Sequence, residues 1–192
     1  GSKVKTVDGR PWRYPSGAQC RQCHTPAAGY ALGTETAQMN RLFNYLQTGR
    51  RANQIATLAH IGLLQNAPNA STAPVLANIH DASLPAPVRA RSYLHANCAQ
   101  CHRPGGSTQS SMDLRFAAAE AAMNVCNVQP TQGDMGMADA RLLVPGNPVR
   151  SLLPLRMRAT DRYRMPPLGS HFMDVAGVSV VEAWIAATNS CD

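Results

Sequence analysis

Apolar side chains recur every three to four residues in several stretches of this 192-residue chain, which is the spacing of amphipathic helices. The clearest stretch begins at Asp174, a predicted N-cap, and runs to Thr188 with Val181 and Trp184 on its apolar face. A second helix is predicted to open at Pro87, because proline is tolerated in the first helical turn. These two helices are the longest that the pattern predicts in the second half of the chain.

Shorter periodicities predict further helices at residues 35–48, 52–65, 116–122 and 149–158. Residues 1–15 are polar and contain two prolines, so we expect them to form an irregular arm. A short helix is predicted to follow, with Ser16 as a candidate N-cap. No alternation of apolar and polar residues is regular enough to predict a strand. The pattern therefore predicts an all-α fold.

Two copies of the pattern Cys-x-x-Cys-His occur, at residues 20–24 and 98–102. Residues three apart on a helical turn face the same side, so both thiols can reach the two vinyl groups of one porphyrin. The histidine that follows can ligate the haem iron. This is the covalent attachment motif of c-type haem. The candidate attachment residues are Cys20, Cys23, Cys98 and Cys101, and the candidate iron ligands are His24 and His102.

Other dithiol chemistries fit this pattern less well. A zinc ribbon needs two cysteine pairs about 15–20 residues apart, whereas these pairs are 78 residues apart. A thioredoxin-like dithiol follows a strand and needs no histidine. In both motifs a proline, Pro26 or Pro104, stands two residues after the histidine. Each proline ends its helix and leaves a backbone carbonyl near the histidine. Either this carbonyl accepts a hydrogen bond from the histidine Nδ1–H, or the proline serves only to stop the helix.

Met165 is the predicted sixth ligand of the second haem. It lies 63 residues after His102 and is followed by Pro166 and Pro167, which stiffen the loop around it. A thioether is a weak ligand that needs rigid support, and it raises the reduction potential relative to a second histidine. The alternative is an ordinary core methionine, since the chain contains eight.

Residues 88–192 resemble a class I cytochrome c domain. They contain a helix leading into Cys-Ala-Gln-Cys-His, a Met-Pro-Pro loop and an amphipathic C-terminal helix. The whole chain resembles bacterial diheme c-type cytochromes, which are electron carriers of the cell envelope. The resemblance implies two helical haem domains, at residues 14–84 (abbreviated or divergent) and 85–192. It also implies that His102 and Met165 are an axial pair, that the first and last helices of the second half cross, and that the protein is periplasmic or extracellular.

The first half departs from this resemblance, because no Met-Pro loop follows His24 before residue 90. We favour His60 as the sixth ligand of the first haem, since it interrupts an apolar helical stretch. It lies off the centre of the apolar face, and a surface or satisfied histidine is the alternative. His80, Met39 and His95 remain open as ligands.

The chain carries a formal charge of +7, almost all of it from arginine. The arginines are scattered without a basic stripe of interleaved aromatics, so nucleic acid is not an expected partner. We expect some of them to pair with haem propionates and most to be solvated at the surface. Aromatic residues make up only 5% of the chain, and two haems would supply large apolar bodies to the core.

Cys126 and Cys191 remain after the two motifs are assigned, and an even pair predicts a disulfide in an oxidising compartment. No apolar run is long enough to span a bilayer. Gly1-Ser2 is typical of a cloning remnant, so we expect a leader or a larger upstream region in the native protein.

The motifs predict electron transfer by a diheme c-type cytochrome, either alone or as one module of a larger redox protein, with two covalently attached haems and redox proteins as partners. With only 11 acidic residues, the chain offers little for general acid–base catalysis. The enzymatic alternative is a diheme peroxidase-like protein. In that alternative the first haem lacks a protein sixth ligand, and its iron binds peroxide.

Overall fold

The computed structural model describes residues 2–169 and 172–191. The chain forms two compact units, one of residues 33–77 and one of residues 1–32 together with 78–192. This division differs from the predicted domains, 14–84 and 85–192, because the first Cys-x-x-Cys-His motif belongs to the same unit as the second. Residues 33–77 form a separate body between the two motifs in the sequence.

The all-α prediction is wrong. The structure contains 31% helix and 12% strand, and its described residues form six α-helices and two small antiparallel sheets. The fold is therefore mixed α and β, and each sheet is a hairpin of two strands.

The first hairpin replaces the expected irregular arm. Strand β1 (Lys3–Val7) pairs antiparallel with β2 (Arg10–Tyr14), and Asp8 and Gly9 form the turn with φ of 49° and 75°. Asp-Gly is a strong hairpin signal because both turn residues tolerate positive φ. Every residue of both strands is exposed. Because neither strand has a buried face, the sequence lacks the alternation of apolar and polar residues that would have predicted a strand.

The second hairpin lies in the 33–77 unit and replaces most of the helix predicted at residues 35–48. Helix α2 (Thr36–Met39) ends early, and β3 (Leu42–Tyr45) then pairs with β4 (Arg50–Asn53). The rings of Phe43 and Tyr45 lie 5.2 Å apart in an edge-to-face contact. Aromatic residues favour strands. This preference outweighed the apolar spacing that had predicted a helix here.

The 33–77 unit is held together by a buried amide. The Nδ2 atom of Asn40 donates to the carbonyls of Ala70 and Ala73, at 2.9 Å each, and its Oδ1 accepts from Asn53 at 2.7 Å. Asn53 also caps helix α3 (Gln54–His60) by accepting from the backbone of Ala56. These bonds tie the loop at residues 66–74 to the hairpin.

Four α-helices belong to the larger unit: α1 (Gly17–Cys20), α4 (Ala86–Cys98), α5 (Leu152–Arg158) and α6 (Val175–Ala187). One-turn 3-10 helices lie at Pro26–Ala28, Glu120–Met123 and Pro148–Arg150. The helix predicted at 116–122 is reduced to the second of these turns. In the described part of the chain, every helix is too short or too polar to cross a membrane.

Helices α4 and α6 pack against each other at the centre of the larger unit. Leu94 of α4 and Val181 and Ile185 of α6 are almost completely buried in the same apolar cluster. The helices are in tight contact at Gly177, where an added Cβ would lie 2.1 Å from the Tyr93 ring. Asp174 caps α6 as predicted, accepting from Gly177 N at 3.0 Å.

The predicted disulfide between Cys126 and Cys191 is confirmed. It links a loop to the segment after α6 across a sequence separation of 65 residues. It therefore restrains the end of the chain beside the α6 helix.

Replacing Gly177 with Ala tests the helix contact. Alanine normally stabilises a helix by about 1 kcal/mol relative to glycine, but here its methyl group would collide with Tyr93. We expect a net loss of roughly 1–3 kcal/mol in the free energy of unfolding, measured by urea denaturation. Ser179→Ala, at an exposed position on the same helix, is the control, and equal stability of the two variants would contradict the packing argument.

Candidate functional site

The second motif continues the last turn of α4. Cys98 is the last residue of the helix, and its carbonyl accepts from the backbone of Cys101 at 3.1 Å and of His102 at 2.9 Å. The chain then turns sharply, since a Cβ on Gly106 would lie 2.0 Å from the Cys101 carbonyl oxygen. Only glycine fits there, and the turn keeps both cysteines and the histidine within one helical turn.

Cys98, His102 and Met165 line one cavity of about 80 Å³, which is partly open to solvent. We call this the His102 cavity. The walls are mostly apolar and include Leu94, Met112, Leu114, Leu142, Leu153 and Met157. The two residues predicted as an axial pair thus meet at one cavity although 63 residues separate them.

His102 is buried, with 8% of its surface exposed. Burial lowers its pKa, and the positive charge of Arg156 lowers it further. The imidazole is therefore neutral at pH 7, which is the form that ligates a metal. Its Nδ1 is buried without a hydrogen-bond partner among the residues that the structure describes. A neutral, partly unsatisfied imidazole facing an apolar cavity fits an iron ligand.

The loop carrying Met165 is held from both sides. The Met165 backbone donates to the carbonyl of Arg156 at 2.9 Å. The buried guanidinium of Arg164 donates to the carbonyls of Ala159 at 2.9 Å and Phe172 at 2.6 Å. These bonds supply the support that a weak thioether ligand needs. The prediction of Met165 as a ligand remains untested, since Met112 and Met157 line the same cavity.

Arg156 is a residue of this site that the sequence analysis did not single out. Its guanidinium lines the His102 cavity and donates to the carbonyls of Gln132 and, at 2.8 Å, Gly133. Burial lowers its pKa. The sequence pointed to Arg156 only through its position between Leu153 and Met157, which are buried on the same short helix. A cation beside an apolar cavity can bind a carboxylate of a ligand.

The first motif is more exposed than the second. Ser16 caps α1 as predicted, accepting from Gln19 N at 3.3 Å. Cys20 and His24 are exposed, and Cys23 is half-buried. His24 Nδ1 lies 2.5 Å from the Tyr30 carbonyl, so Nδ1 carries the proton and Nε2 keeps its lone pair. The acceptor is thus the carbonyl of Tyr30, six residues further along the chain. This bond orients the ring, as hydrogen bonds to the other ring nitrogen orient metal-ligating histidines.

The two motifs contact each other within the larger unit. Cys23 Sγ and Cys101 Sγ lie 3.4 Å apart. A shared zinc site does not follow, because no cluster of three or more His, Cys, Asp or Glu able to hold a metal ion occurs in residues 2–169 and 172–191. A haem iron needs at most two protein ligands, so the haem hypothesis does not require such a cluster.

Two of the motif thiols, Cys23 and Cys98, lack the lowered pKa of redox-active cysteines. Burial raises the pKa of Cys98 to about 12, and burial together with Cys101 raises the pKa of Cys23 to about 11. Catalytic cysteines show the opposite shift, because the thiolate is the nucleophile. This argues against thioredoxin-like chemistry at Cys23 and Cys98.

The four candidate sixth ligands of the first haem lie in different settings. His60 is exposed at the end of α3, and Met39 is half-buried at the end of α2, both in the 33–77 unit. His80 is exposed in the larger unit. His95 Nδ1 accepts from the backbone of Phe116 at 3.0 Å, so the proton of its neutral ring lies on Nε2. His60 stays a prediction.

Comparisons with protein-family models, with curated proteins and with solved structures find no match for this chain.

The raised thiol pKa predicts slow alkylation of Cys23 in the chain without attached haem. At pH 8 a thiol of pKa about 11 has far less thiolate than one of ordinary pKa 9.0, so its reaction with iodoacetamide should be slower by roughly 100-fold. The rate should keep rising with pH towards 11. Mass spectrometry of the peptides measures this, with exposed Cys20 as the internal reference. A rate for Cys23 that levels off near pH 9 would contradict the shift.

Proposed function

We propose that this chain is an electron-transfer diheme c-type cytochrome of the bacterial cell envelope, or such a module of a larger redox protein. The observation that carries the proposal is the His102 cavity. It brings together an attachment cysteine, a neutral buried histidine and a methionine on a braced loop, on mostly apolar walls. This donor set suits a haem, and it lacks the acidic groups of hydrolytic sites.

Each side chain has a distinct part in the second site. Cys98 and Cys101 would attach the haem, and His102 and Met165 would ligate its iron. Arg156 would bind a propionate, because a guanidinium matches a carboxylate. When bound, the haem supplies one-electron chemistry at its iron. The mostly apolar walls would limit water around the haem, which favours a high reduction potential together with the methionine ligand.

The first site is proposed on its motif and on the orientation of His24. Cys20 and Cys23 would attach the haem, and His24 Nε2 would ligate the iron while Nδ1–H stays bonded to Tyr30. His60 is the proposed sixth ligand. The exposure of Cys20 and His24 would leave one edge of this haem accessible to a redox partner.

The proposed location outside the cytoplasm is supported by the disulfide between Cys126 and Cys191, because disulfides persist in oxidising compartments. The proposed partners are redox proteins. Nucleic acid is not among them, since the arginines are scattered and two of them, Arg115 with Asp113 at 2.6 Å and Arg158 with Glu182 at 2.8 Å, form ion pairs in the described part of the protein.

Replacing Met165 with Leu in the holoprotein tests the proposal. The native protein should contain two haems per chain by the pyridine haemochrome assay and show two low-spin ferric signals. Met165→Leu keeps the apolar volume but removes the thioether. We expect loss of the methionine–iron charge-transfer band and a fall in one reduction potential of roughly 0.1 V or more, out of the approximately 0.8 V range that axial ligands span.

Met112→Leu is the matched control, because Met112 lines the same cavity. It should leave the band and both potentials unchanged. A stoichiometry of one haem, or bound zinc in place of haem, would refute the proposed function. An unchanged Met165→Leu spectrum would remove Met165 from the site without affecting the attachment motifs.

Replacing His60 with Ala tests the sixth ligand of the first haem. We expect one low-spin ferric signal to become high-spin, because loss of an axial ligand weakens the ligand field. Electron paramagnetic resonance measures the change, and His80→Ala is the control for an exposed histidine. Unchanged spectra would exclude His60. A high-spin signal in the native protein that responds to cyanide or peroxide would favour the peroxidase-like alternative instead.

A further inference from the structure

We propose that the two haem sites form one coupled redox pair, joined at the sulfurs of Cys23 and Cys101 and held in register by Arg103. This inference rests on the proposed function. It adds a route between the two sites that neither motif reveals alone, and it identifies Arg103 as a positioning residue.

The sulfur contact is the first observation. Cys23 Sγ lies 3.4 Å from Cys101 Sγ, and the latter also lies 4.0 Å from the carbonyl oxygen of Gln22. The sulfurs touch without being bonded, because a disulfide bond is about 2.05 Å long. Each is the second cysteine of its motif, so the two motifs meet at equivalent positions.

Arg103 is the second observation. Its Nη1 donates to the carbonyl of Ala27 at 3.0 Å, and its Nε donates to the carbonyl of Ala99. One guanidinium therefore links the turn after the first motif to the end of α4 in the second. A Cβ on neighbouring Gly105 would lie 3.7 Å from the Cβ of Ala27, so the two turns lie close to each other beside the arginine.

Covalent attachment turns this contact into a connection between the sites. In a c-type protein both cysteines of one motif are bonded to the same porphyrin, so Cys23 and Cys101 would be bonded to different porphyrins. Groups attached through Cys23 and Cys101 would therefore be separated by one sulfur–sulfur contact, made of polarisable atoms and half-shielded from solvent. An electron could pass between the sites without crossing bulk water. The charge on one site would also act on the other through protein of low dielectric constant.

The holoprotein itself supplies the test. We would titrate it potentiometrically and record electron paramagnetic resonance spectra of the fully oxidised and half-reduced states. In the half-reduced state one haem is ferrous and diamagnetic. If the sites are coupled, the ferric signal of the other haem should differ from the signal that the same haem gives in the fully oxidised protein. Arg103→Gln should remove most of this difference while haem content stays at two per chain.

Arg21→Gln is the matched control. It removes one positive charge from within the first motif, where Arg21 is exposed, but leaves the link between Ala27 and Ala99 intact. Arg21→Gln should keep the native spectral difference. Arg103→Lys keeps the positive charge but cannot bond both carbonyls, so it should lose the difference as Arg103→Gln does.

Two results would overturn the inference. In the first, the remaining ferric haem of the native protein gives the same signal in the half-reduced state as in the fully oxidised state. In the second, Arg103→Gln shows the same spectral difference between these states as the native protein. Either result with two haems per chain leaves the proposed function standing, whereas a protein without two haems would refute the proposed function itself. If Arg103→Gln loses haem, the native titration alone decides.

Discussion

The close packing of α4 against α6 is the constraint on which the larger unit depends. Gly177 allows the Tyr93 ring to approach the α6 backbone, and burial and the neighbouring Asp174 carboxylate raise the pKa of Tyr93, so its hydroxyl stays protonated. The contact fixes α4 within the core. Because Cys98 ends that helix, the same contact determines where the second motif stands relative to the Met165 loop.

The site follows from this arrangement with few additional interactions. Arg164 and the backbone bond from Met165 to Arg156 brace the loop, and α5 adds an apolar wall and one cation to the cavity. Burial then keeps His102 neutral. The chemical properties that suit a haem ligand are thus consequences of packing and do not require additional charged groups.

Local sequence was a good guide where the chemistry is local. Ser16, Asp174 and the helix entering Cys98 were predicted because capping and periodicity act within a few residues. The two hairpins were missed because exposed strands such as Lys3–Val7 bury no face and show no alternation. The role of Arg156 was missed because an arginine near a cavity looks like any surface arginine until the walls are folded around it.

The sequence by itself determined the two Cys-x-x-Cys-His motifs and the pairing of Cys126 with Cys191, because these depend on residue type, spacing and count. It also pointed to Met165 through the prolines beside it. Only the tertiary structure brought Met165 and His102 to one cavity, and placed both motifs in one unit with Cys23 against Cys101. Such contacts join residues more than 60 positions apart, and packing between distant segments leaves no periodic trace in the sequence.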